Sequence, residues 1–246
     1  LYGSNTGFRV ETGDLPEFAM YMPGMGGNFK LGLVNGKDSK WITEASKIDT
    51  KYVLGTMQYE IQDPILGNGK LFVQVVALKE KEGFIVKVYG QNLPKKLDLI
   101  WVYGGATGKK FSRDGDIGAD PESVFYLQPE YCLNNKYTLK KQSFLLEYGS
   151  ESNKQKTGNN KRLVGYFPSS DVKLANSKQQ KTPLELYSSN PETLTLITGK
   201  STFSKNEMYW LFASEDLKSD VSQIGIAKLY DKSVQETHVL ANRVKV

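Results

Sequence analysis

Short segments rich in apolar residues recur about every ten residues along most of this chain, and glycine-containing turns separate them. The clearest are 8–11, 18–22, 29–33, 52–62, 71–78, 84–89 and 97–103. In 8–11 and 29–33 the apolar residues occupy every second position, which is typical of strands with one buried face, and the pairs Asn35-Gly36 and Asn68-Gly69 favour tight turns. The pattern predicts antiparallel strands in a sandwich or barrel, and it argues against alternating strand–helix units.

The second half of the chain has weaker strand signals and one helical signal. Segments 143–148, 163–167, 194–203 and 207–213 predict strands, and the polar segments 149–162 and 169–183 predict exposed turns or loops. Apolar residues then recur every three to four positions, at Val221, Ile224, Ala227, Tyr230, Val234, His238 and Ala241. This period predicts an amphipathic helix of roughly twenty residues, with an N-cap within 214–220 and a weak point at Gly225. We therefore expect a β-sandwich domain over 1–213 and a linker helix over 214–246.

Composition excludes several classes of protein. The 246 residues contain a single cysteine, Cys132, so no intrachain disulfide forms, and a small buried role is the ordinary one for this residue. The formal charge of +5 comes from dispersed lysines, with arginine only at 9, 113, 162 and 243. Nucleic-acid readers cluster arginine on one face, so we expect no nucleic-acid partner. No apolar run of about 18 residues is present, so we expect no membrane span.

A long polar segment between the apolar segments 97–103 and 124–127 is the first place to look for a site. It contains four carboxylates and one arginine, which are Arg113, Asp114, Asp116, Asp120 and Glu122, together with glycines at 108, 115 and 118. Loops of more than about 12–15 residues are uncommon and are often functional. Trp101 lies just before this segment.

Three interpretations of these carboxylates remain open. They are solvated turn residues, sugar-binding groups that act with Arg113, or oxygen ligands for calcium, although the spacing is not that of an EF-hand. Calcium is the one cofactor that the sequence leaves open. Tryptophans in strands are usually core residues, which is the ordinary interpretation of Trp41 and Trp210; Trp101 is the best candidate for stacking on a sugar ring.

The sequence assigns no catalytic residue. The stretch 104–110 resembles a phosphate-binding loop only superficially, because the glycine spacing is wrong and Lys110 stands where a hydroxyl is required. His238 is the only histidine, so neither a histidine-based triad nor a histidine metal site can form. A carboxylate pair for glycoside hydrolysis stays open, because a sequence shows no distances.

Three segments carry a family resemblance: TGFRVETGDLPEF at 6–18, PGMGGN at 23–28 and FSRDGDIGADPES at 111–123. They resemble the N-terminal domain, of unknown function, of a family of glycoside-hydrolase-like proteins from bacterial polysaccharide-utilisation systems. The resemblance implies a β-supersandwich of the galactose-mutarotase type, followed by an (α/α)6 barrel that the closing residues 241–246 approach. It also implies that the general acid lies on the barrel and that the sandwich contributes a loop near the active-site mouth.

These observations together favour a non-catalytic β-sandwich domain of a glycoside hydrolase. We expect Trp101, Arg113, Asp114, Asp116, Asp120 and Glu122 to contact carbohydrate, with the following barrel as a partner in the same polypeptide. The resemblance implies a periplasmic or secreted bacterial protein, and Leu1 indicates a processed or excised piece. Two alternatives are a free-standing carbohydrate-binding module or adhesin, and a fragment that is itself a hydrolase through two loop carboxylates.

Overall fold

The computed structural model describes residues 1, 7–22, 25–106, 129–149, 162–168, 171–203, 207–214 and 220–243. Within these ranges the chain forms two antiparallel sheets and two α-helices. The strands are β1 (Arg9–Thr12), β2 (Phe18–Met22), β3 (Met25–Asn35), β4 (Asp38–Trp41), β5 (Lys47–Val53), β6 (Thr56–Gln62), β7 (Lys70–Ala77), β8 (Gly83–Gln91), β9 (Leu97–Ala106), β10 (Lys136–Lys140), β11 (Ser143–Glu147), β12 (Arg162–Tyr166), β13 (Asp171–Asn176), β14 (Thr195–Thr202) and β15 (Met208–Ala213). The helices are α1 (Pro183–Ser188) and α2 (Gln223–Ala241), and short 3-10 turns form at Ile42–Glu44, Pro64–Leu66 and Pro129–Cys132.

The two sheets pack face to face as a sandwich, which confirms the predicted mainly-β fold. The seven-stranded sheet has the order β1-β2-β3-β9-β14-β13, with β4 beside β3. The eight-stranded sheet has the order β10-β11-β12-β15-β8-β7-β6-β5. Neighbouring strands pair antiparallel throughout both sheets, with β3 and β9 in register from Gly26↔Ala106 to Asn35↔Leu97.

Alternation along each strand explains why the sheets stack. On β7, Leu71, Val73 and Val75 are buried, whereas Phe72 and Gln74 are half-buried on the opposite face. Inward residues from both sheets form one large core that is rich in aromatic rings. Burial of each such side chain stabilises the fold by roughly 1.5–3 kcal/mol, so this core is the main source of stability.

Helix α2 covers part of the outer face of the eight-stranded sheet. Ile226 and Tyr230 pack against apolar side chains of β7, β8, β12 and β15, including Ile85 and Leu211. The N-cap is Ser222, whose hydroxyl accepts a hydrogen bond from the Gly225 N–H at 3.2 Å. The helix predicted from the sequence is therefore confirmed, and its cap lies just beyond the predicted range of 214–220.

One predicted loop is a strand. The segment 169–183 contains β13, which pairs with β14 through Leu174↔Ile197 and Ala175↔Leu196. The polar residues Asp171 and Lys173 conceal the alternation, because β13 is the edge strand of its sheet and needs only a few buried side chains. Most of the other predicted loop, residues 150–161, lies outside the described residues.

Candidate functional site

Strand β9 delivers the chain to the segment where the sequence predicts a site. The described part of the chain stops at residue 106 and resumes at residue 129. Arg113, Asp114, Asp116, Asp120 and Glu122 therefore all lie outside the described residues. What the structure describes is the framework from which this segment departs and to which it returns.

A buried amide ties the two flanks of that segment together. Asn135 is 7 % exposed, and its Nδ2 donates a hydrogen bond to the Gly105 carbonyl at 2.7 Å. The Gly149 N–H donates to Oδ1 of the same asparagine at 3.2 Å. One side chain thus joins Gly105, two residues before segment 107–128, to Gly149, the residue before segment 150–161, so the described flanks of both segments lie at the same end of the sandwich.

Three tyrosines complete this framework. The Tyr148 hydroxyl donates to the Gly26 carbonyl at 2.9 Å and lies 3.4 Å from the Tyr103 hydroxyl. The Gly105 N–H donates to the Tyr137 hydroxyl at 3.4 Å. Burial raises the pKa of all three phenols well above the ordinary value. They therefore remain neutral at physiological pH and act as fixed hydrogen-bonding groups, not as bases.

A glycine makes room for this tyrosine pair. A Cβ atom at Gly27 would lie 2.0 Å from the Tyr103 hydroxyl, so no larger residue fits at this position without displacing the phenol. Gly27 belongs to PGMGGN, one of the segments that carry the family resemblance. The close approach gives a physical reason for the glycine in that segment.

Trp101 belongs to the core and not to a binding surface. It is fully buried, and its ring lies 5.1 Å from the Phe167 ring and 6.5 Å from the Phe144 ring, centroid to centroid. Its indole therefore offers no exposed face to a sugar, which is the outcome expected of a strand tryptophan. Trp41 and Trp210 are also buried, at 2 % and 0 % exposure.

Within the described ranges, no group of three or more histidine, cysteine, aspartate and glutamate side chains could hold a metal ion. His238 lies in the last turn of α2, and Cys132 is 1 % exposed, as predicted for a small buried residue. None of the helices in the described ranges is long and apolar enough to span a bilayer.

An exposed apolar surface lies where α2 ends, and sequence reasoning missed it. We call it the helix-end patch, and it consists of Tyr52, Leu54, Val239 and Leu240, which are 67 %, 39 %, 50 % and 46 % exposed. Leu240 lines a depression of about 430 Å³ with Tyr52 and Leu54, and it lines a second one with Val239. The available signal was the pair Val239-Leu240 at the end of the amphipathic pattern.

The helix-end patch and the residues that flank segment 150–161 lie at the same end of the eight-stranded sheet. The antiparallel pairing of β11, β12, β15, β8, β7, β6 and β5 places the end of β11, the start of β12 and the β5–β6 turn at that end of the sheet. Helix α2 reaches it at Thr237, which lies against Gly55 in the turn. A protein domain that covers the helix-end patch would therefore contact the end of the sheet where the residues flanking segment 150–161 lie.

Comparisons with known proteins agree with the architecture. A family described as a domain of unknown function (DUF4450) matches residues 22–234. A search of curated proteins gives no match. Among solved structures, a bacterial glucoamylase complexed with acarbose is similar, with a TM-score of 0.54 and 9 % sequence identity over 93 % of this chain and 36 % of that chain. A polysaccharide lyase aligns over 83 % of this chain and 27 % of its own, with 9 % identity and a TM-score of 0.35.

The present chain spans little more than a third of the glucoamylase that it resembles. At 9 % identity, this likeness concerns the fold alone. It establishes that a two-sheet domain of this kind also occurs as one part of a longer chain.

Proposed function

This chain belongs to the family of the domain of unknown function DUF4450, and we propose that it is the non-catalytic N-terminal β-sandwich domain of a glycoside hydrolase. In this proposal the domain packs on a following (α/α)6 barrel of the same polypeptide. It contributes Arg113, Asp114, Asp116, Asp120 and Glu122 to carbohydrate binding at the junction. A periplasmic or secreted location fits a role in glycan breakdown.

The helix-end patch is the observation that carries the proposal. Four large apolar side chains are exposed together at the point where α2 ends, and contiguous exposed apolar surface commonly marks an interaction site. In the middle of α2, Ile226 and Tyr230 are buried against the sheet, whereas Ile224 near the start of the helix is 69 % exposed. The helix end differs from Ile224 because Leu240 is exposed beside two further exposed apolar residues, Tyr52 and Leu54.

The backbone at Leu54 strengthens this argument. Leu54 and Gly55 form the two-residue turn between β5 and β6, with φ of 47° and 87°. Such turns favour Asn-Gly, because a bulky residue with positive φ is strained by about 1–2 kcal/mol. Leu54 is 39 % exposed, so part of this strained residue's apolar side chain stays available to an external contact.

The similar glucoamylase supports the carbohydrate part of the proposal at the level of fold. That protein was solved with acarbose, and this chain matches about a third of it. Segment 107–128 carries the charged groups that can hydrogen-bond to sugar hydroxyls. The cluster around Asn135 would hold both of its flanks in place beside the junction.

The proposal is tested first by reading the encoding gene past the codon for Val246. We expect the frame to continue for several hundred residues, as a barrel requires. A stop codon directly after Val246 would contradict the proposal and would favour a free-standing carbohydrate-binding module or adhesin.

The loop is tested in that longer polypeptide with the double substitution Asp116→Ala and Asp120→Ala. Loss of charge-assisted hydrogen bonds worth roughly 1.5–3 kcal/mol each should lower kcat/KM at least tenfold on whichever glycan of a panel the enzyme cleaves. Asp38→Ala, in the exposed β3–β4 turn, is the matched control and should leave turnover unchanged. Unchanged glycan turnover and binding in the double variant would refute the role of the loop.

A further inference from the structure

The outer face of the eight-stranded sheet is apolar under α2 and becomes polar and aromatic beside the helix. Under the helix the outward side chains are apolar, as at Val76 and Ile85. Along β5, β6, β7 and β8 the outward side chains are instead polar or aromatic, and they line a depression of about 550 Å³. Volumes of roughly 300–1,000 Å³ are typical of small-molecule sites. We call this depression the sheet-face groove.

Register places seven of the lining residues, together with the neighbouring Lys87, in two rows across the strands. One row pairs Asp49↔Glu60, Glu60↔Phe72 and Phe72↔Tyr89. The other pairs Lys51↔Gln58, Gln58↔Gln74 and Gln74↔Lys87. All eight side chains therefore point to the same side of the sheet, away from the core.

The aromatic wall of the groove is a stacked pair. The Phe72 and Tyr89 ring centroids are 4.9 Å apart, with 10° between the ring planes. Both residues are half-buried and neither belongs to the hydrophobic core. Lys87 Nζ lies 5.3 Å from the Tyr89 ring centroid, so the apolar surface available to a ligand is the part of the two half-buried rings that this side chain leaves exposed.

On the polar floor of the groove, some side chains already make hydrogen bonds within the protein and one does not. Gln74 accepts a hydrogen bond from the Tyr230 hydroxyl at 2.8 Å, which marks the border with α2. Lys70 and Gln62 both donate to Oε1 of Glu60, and the contact with Lys70 lowers the pKa of that carboxyl and keeps it ionised. Gln58 makes no side-chain hydrogen bond within the described ranges, so its amide is available to a ligand.

Most of the charge on this face is paired. Lys47 pairs with Asp49 at 2.9 Å, Lys70 pairs with Glu60, and Lys87 pairs with Glu207 at 2.6 Å. Lys51, which also lines the groove, makes no ion pair within the described ranges, so the face carries a small excess of positive charge but not the strong field of one sign that favours a polyanion or a polycation. A neutral ligand with one apolar face and many hydroxyl groups matches a surface of this kind.

We propose that the sheet-face groove binds a neutral oligosaccharide, with a sugar ring against the Phe72–Tyr89 pair and its hydroxyls hydrogen-bonded to Gln58 and Glu60. This site is distinct from the residues of segment 107–128. It does not depend on a following domain or on any turnover by this chain.

The test measures binding of maltohexaose, cellohexaose, xylohexaose and mannohexaose to the protein by calorimetry, with hexagalacturonate as the charged counterpart. We expect at least one neutral hexasaccharide to bind. Phe72→Ala should weaken that binding at least tenfold and Gln58→Ala about threefold. Leu139→Ala, which removes an exposed apolar side chain on β10 outside the groove, should stay within about twofold of the wild type.

Melting temperatures of the variants separate folding from binding. Gln58→Ala removes a side chain that makes no hydrogen bond within the described ranges, so it keeps the test decisive if Phe72→Ala unfolds. Gln58→Ala should weaken binding by the same factor, about threefold, when it is made together with Asp116→Ala and Asp120→Ala, which separates the groove from the loop. The proposal is overturned if no neutral hexasaccharide binds, if only hexagalacturonate binds, or if a folded Gln58→Ala or Phe72→Ala variant binds as the wild type does.

Discussion

Asp63 is a buried carboxylate at which three segments of the chain meet. Its Oδ2 accepts hydrogen bonds from Lys40 Nζ at 2.9 Å and from both the backbone N–H and the hydroxyl of Ser46 at 3.0 Å. Its Oδ1 accepts from the Ile65 N–H at 3.1 Å, which caps the 3-10 turn Pro64–Leu66. The carboxylate therefore holds β4, the start of β5 and that turn together.

We predict that Asp63→Asn destabilises the protein by about 2–3 kcal/mol at pH 7, because an amide accepts through one atom only and loses the pairing with Lys40. Urea unfolding monitored by tryptophan fluorescence measures the change. Asp38→Asn is the control, since Asp38 is an exposed turn residue, and it should alter the free energy of unfolding by less than about 0.5 kcal/mol.

The stabilisation that Asp63 provides should depend on pH, and the direction follows from the shift of its pKa. Burial alone would raise the pKa of Asp63, but the hydrogen bonds from Lys40, Ile65 and Ser46 outweigh it and hold the pKa below the ordinary 3.8. The folded state thus binds this proton more weakly than the unfolded state does. The stabilisation is present above about pH 4 and is lost as the pH falls below it. The difference between the wild type and Asp63→Asn should shrink on acidification, and a constant difference down to pH 3 would contradict this account.

At the scale of single residues, the sequence predicts burial better than it predicts contacts. Alternation placed Phe29, Leu31 and Leu33 on one face of a strand, and all three are buried. The same pattern could not exclude a surface role for Trp101, because the ring is buried by the opposite sheet and not by its own strand. The hydrogen bonds of Asn135 could not be predicted from the sequence either, because its partners are 30 and 14 residues away along the chain.

Helix α2 depends on one glycine in the turn that it meets. A Cβ atom at Gly55 would lie 2.0 Å from Cγ2 of Thr237, and Gly55 has a φ of 87°. We predict that Gly55→Ala destabilises the protein by about 2–3 kcal/mol, from backbone strain together with the steric conflict. Thermal unfolding followed by circular dichroism measures it.

A second substitution separates the two causes. Thr237→Ser removes the methyl group but keeps the hydroxyl, which donates to the Ser233 carbonyl at 2.8 Å. The double variant should recover the steric part and retain about 1 kcal/mol of backbone strain. Equal loss of stability in the single and the double variant would show that the helix does not press on this turn.

At the scale of elements, local sequence patterns predicted which segments are helices or strands, but not the tertiary contacts that require particular residues in them. The spacing of the apolar residues in α2 was sufficient to locate it. Gly225, which counts as a weak point by propensity alone, is required there because a Cβ atom would lie 2.2 Å from the Asp220 carbonyl oxygen. Strand β5 was only partly recognised, because charged residues occupy much of this edge strand.

At the scale of the whole molecule, the sheet order lies beyond local sequence reasoning. Strand β9 pairs with β3 and β14, and β15 pairs with β8, across separations of about seventy residues or more. The fold class follows from the recurring strands, but which strands become neighbours depends on how two apolar faces close over each other. For the same reason the helix-end patch was missed, since it joins the β5–β6 turn to the end of α2.

The helix-end patch gives the last prediction, which concerns docking of the proposed barrel. Leu240→Glu should leave the melting temperature of the isolated chain within about 2 °C of the wild type, because Leu240 is 46 % exposed. In the longer polypeptide, the same change should lower the melting temperature of this domain by about 4–8 °C, because an apolar contact worth about 2 kcal/mol is lost. Ile224→Glu is the matched control: it places the same charge on the same helix at a residue that is 69 % exposed and lies outside the patch. A barrel docked on the patch predicts an effect of Leu240→Glu only in the longer polypeptide and none of Ile224→Glu, so equal effects of the two substitutions would refute it.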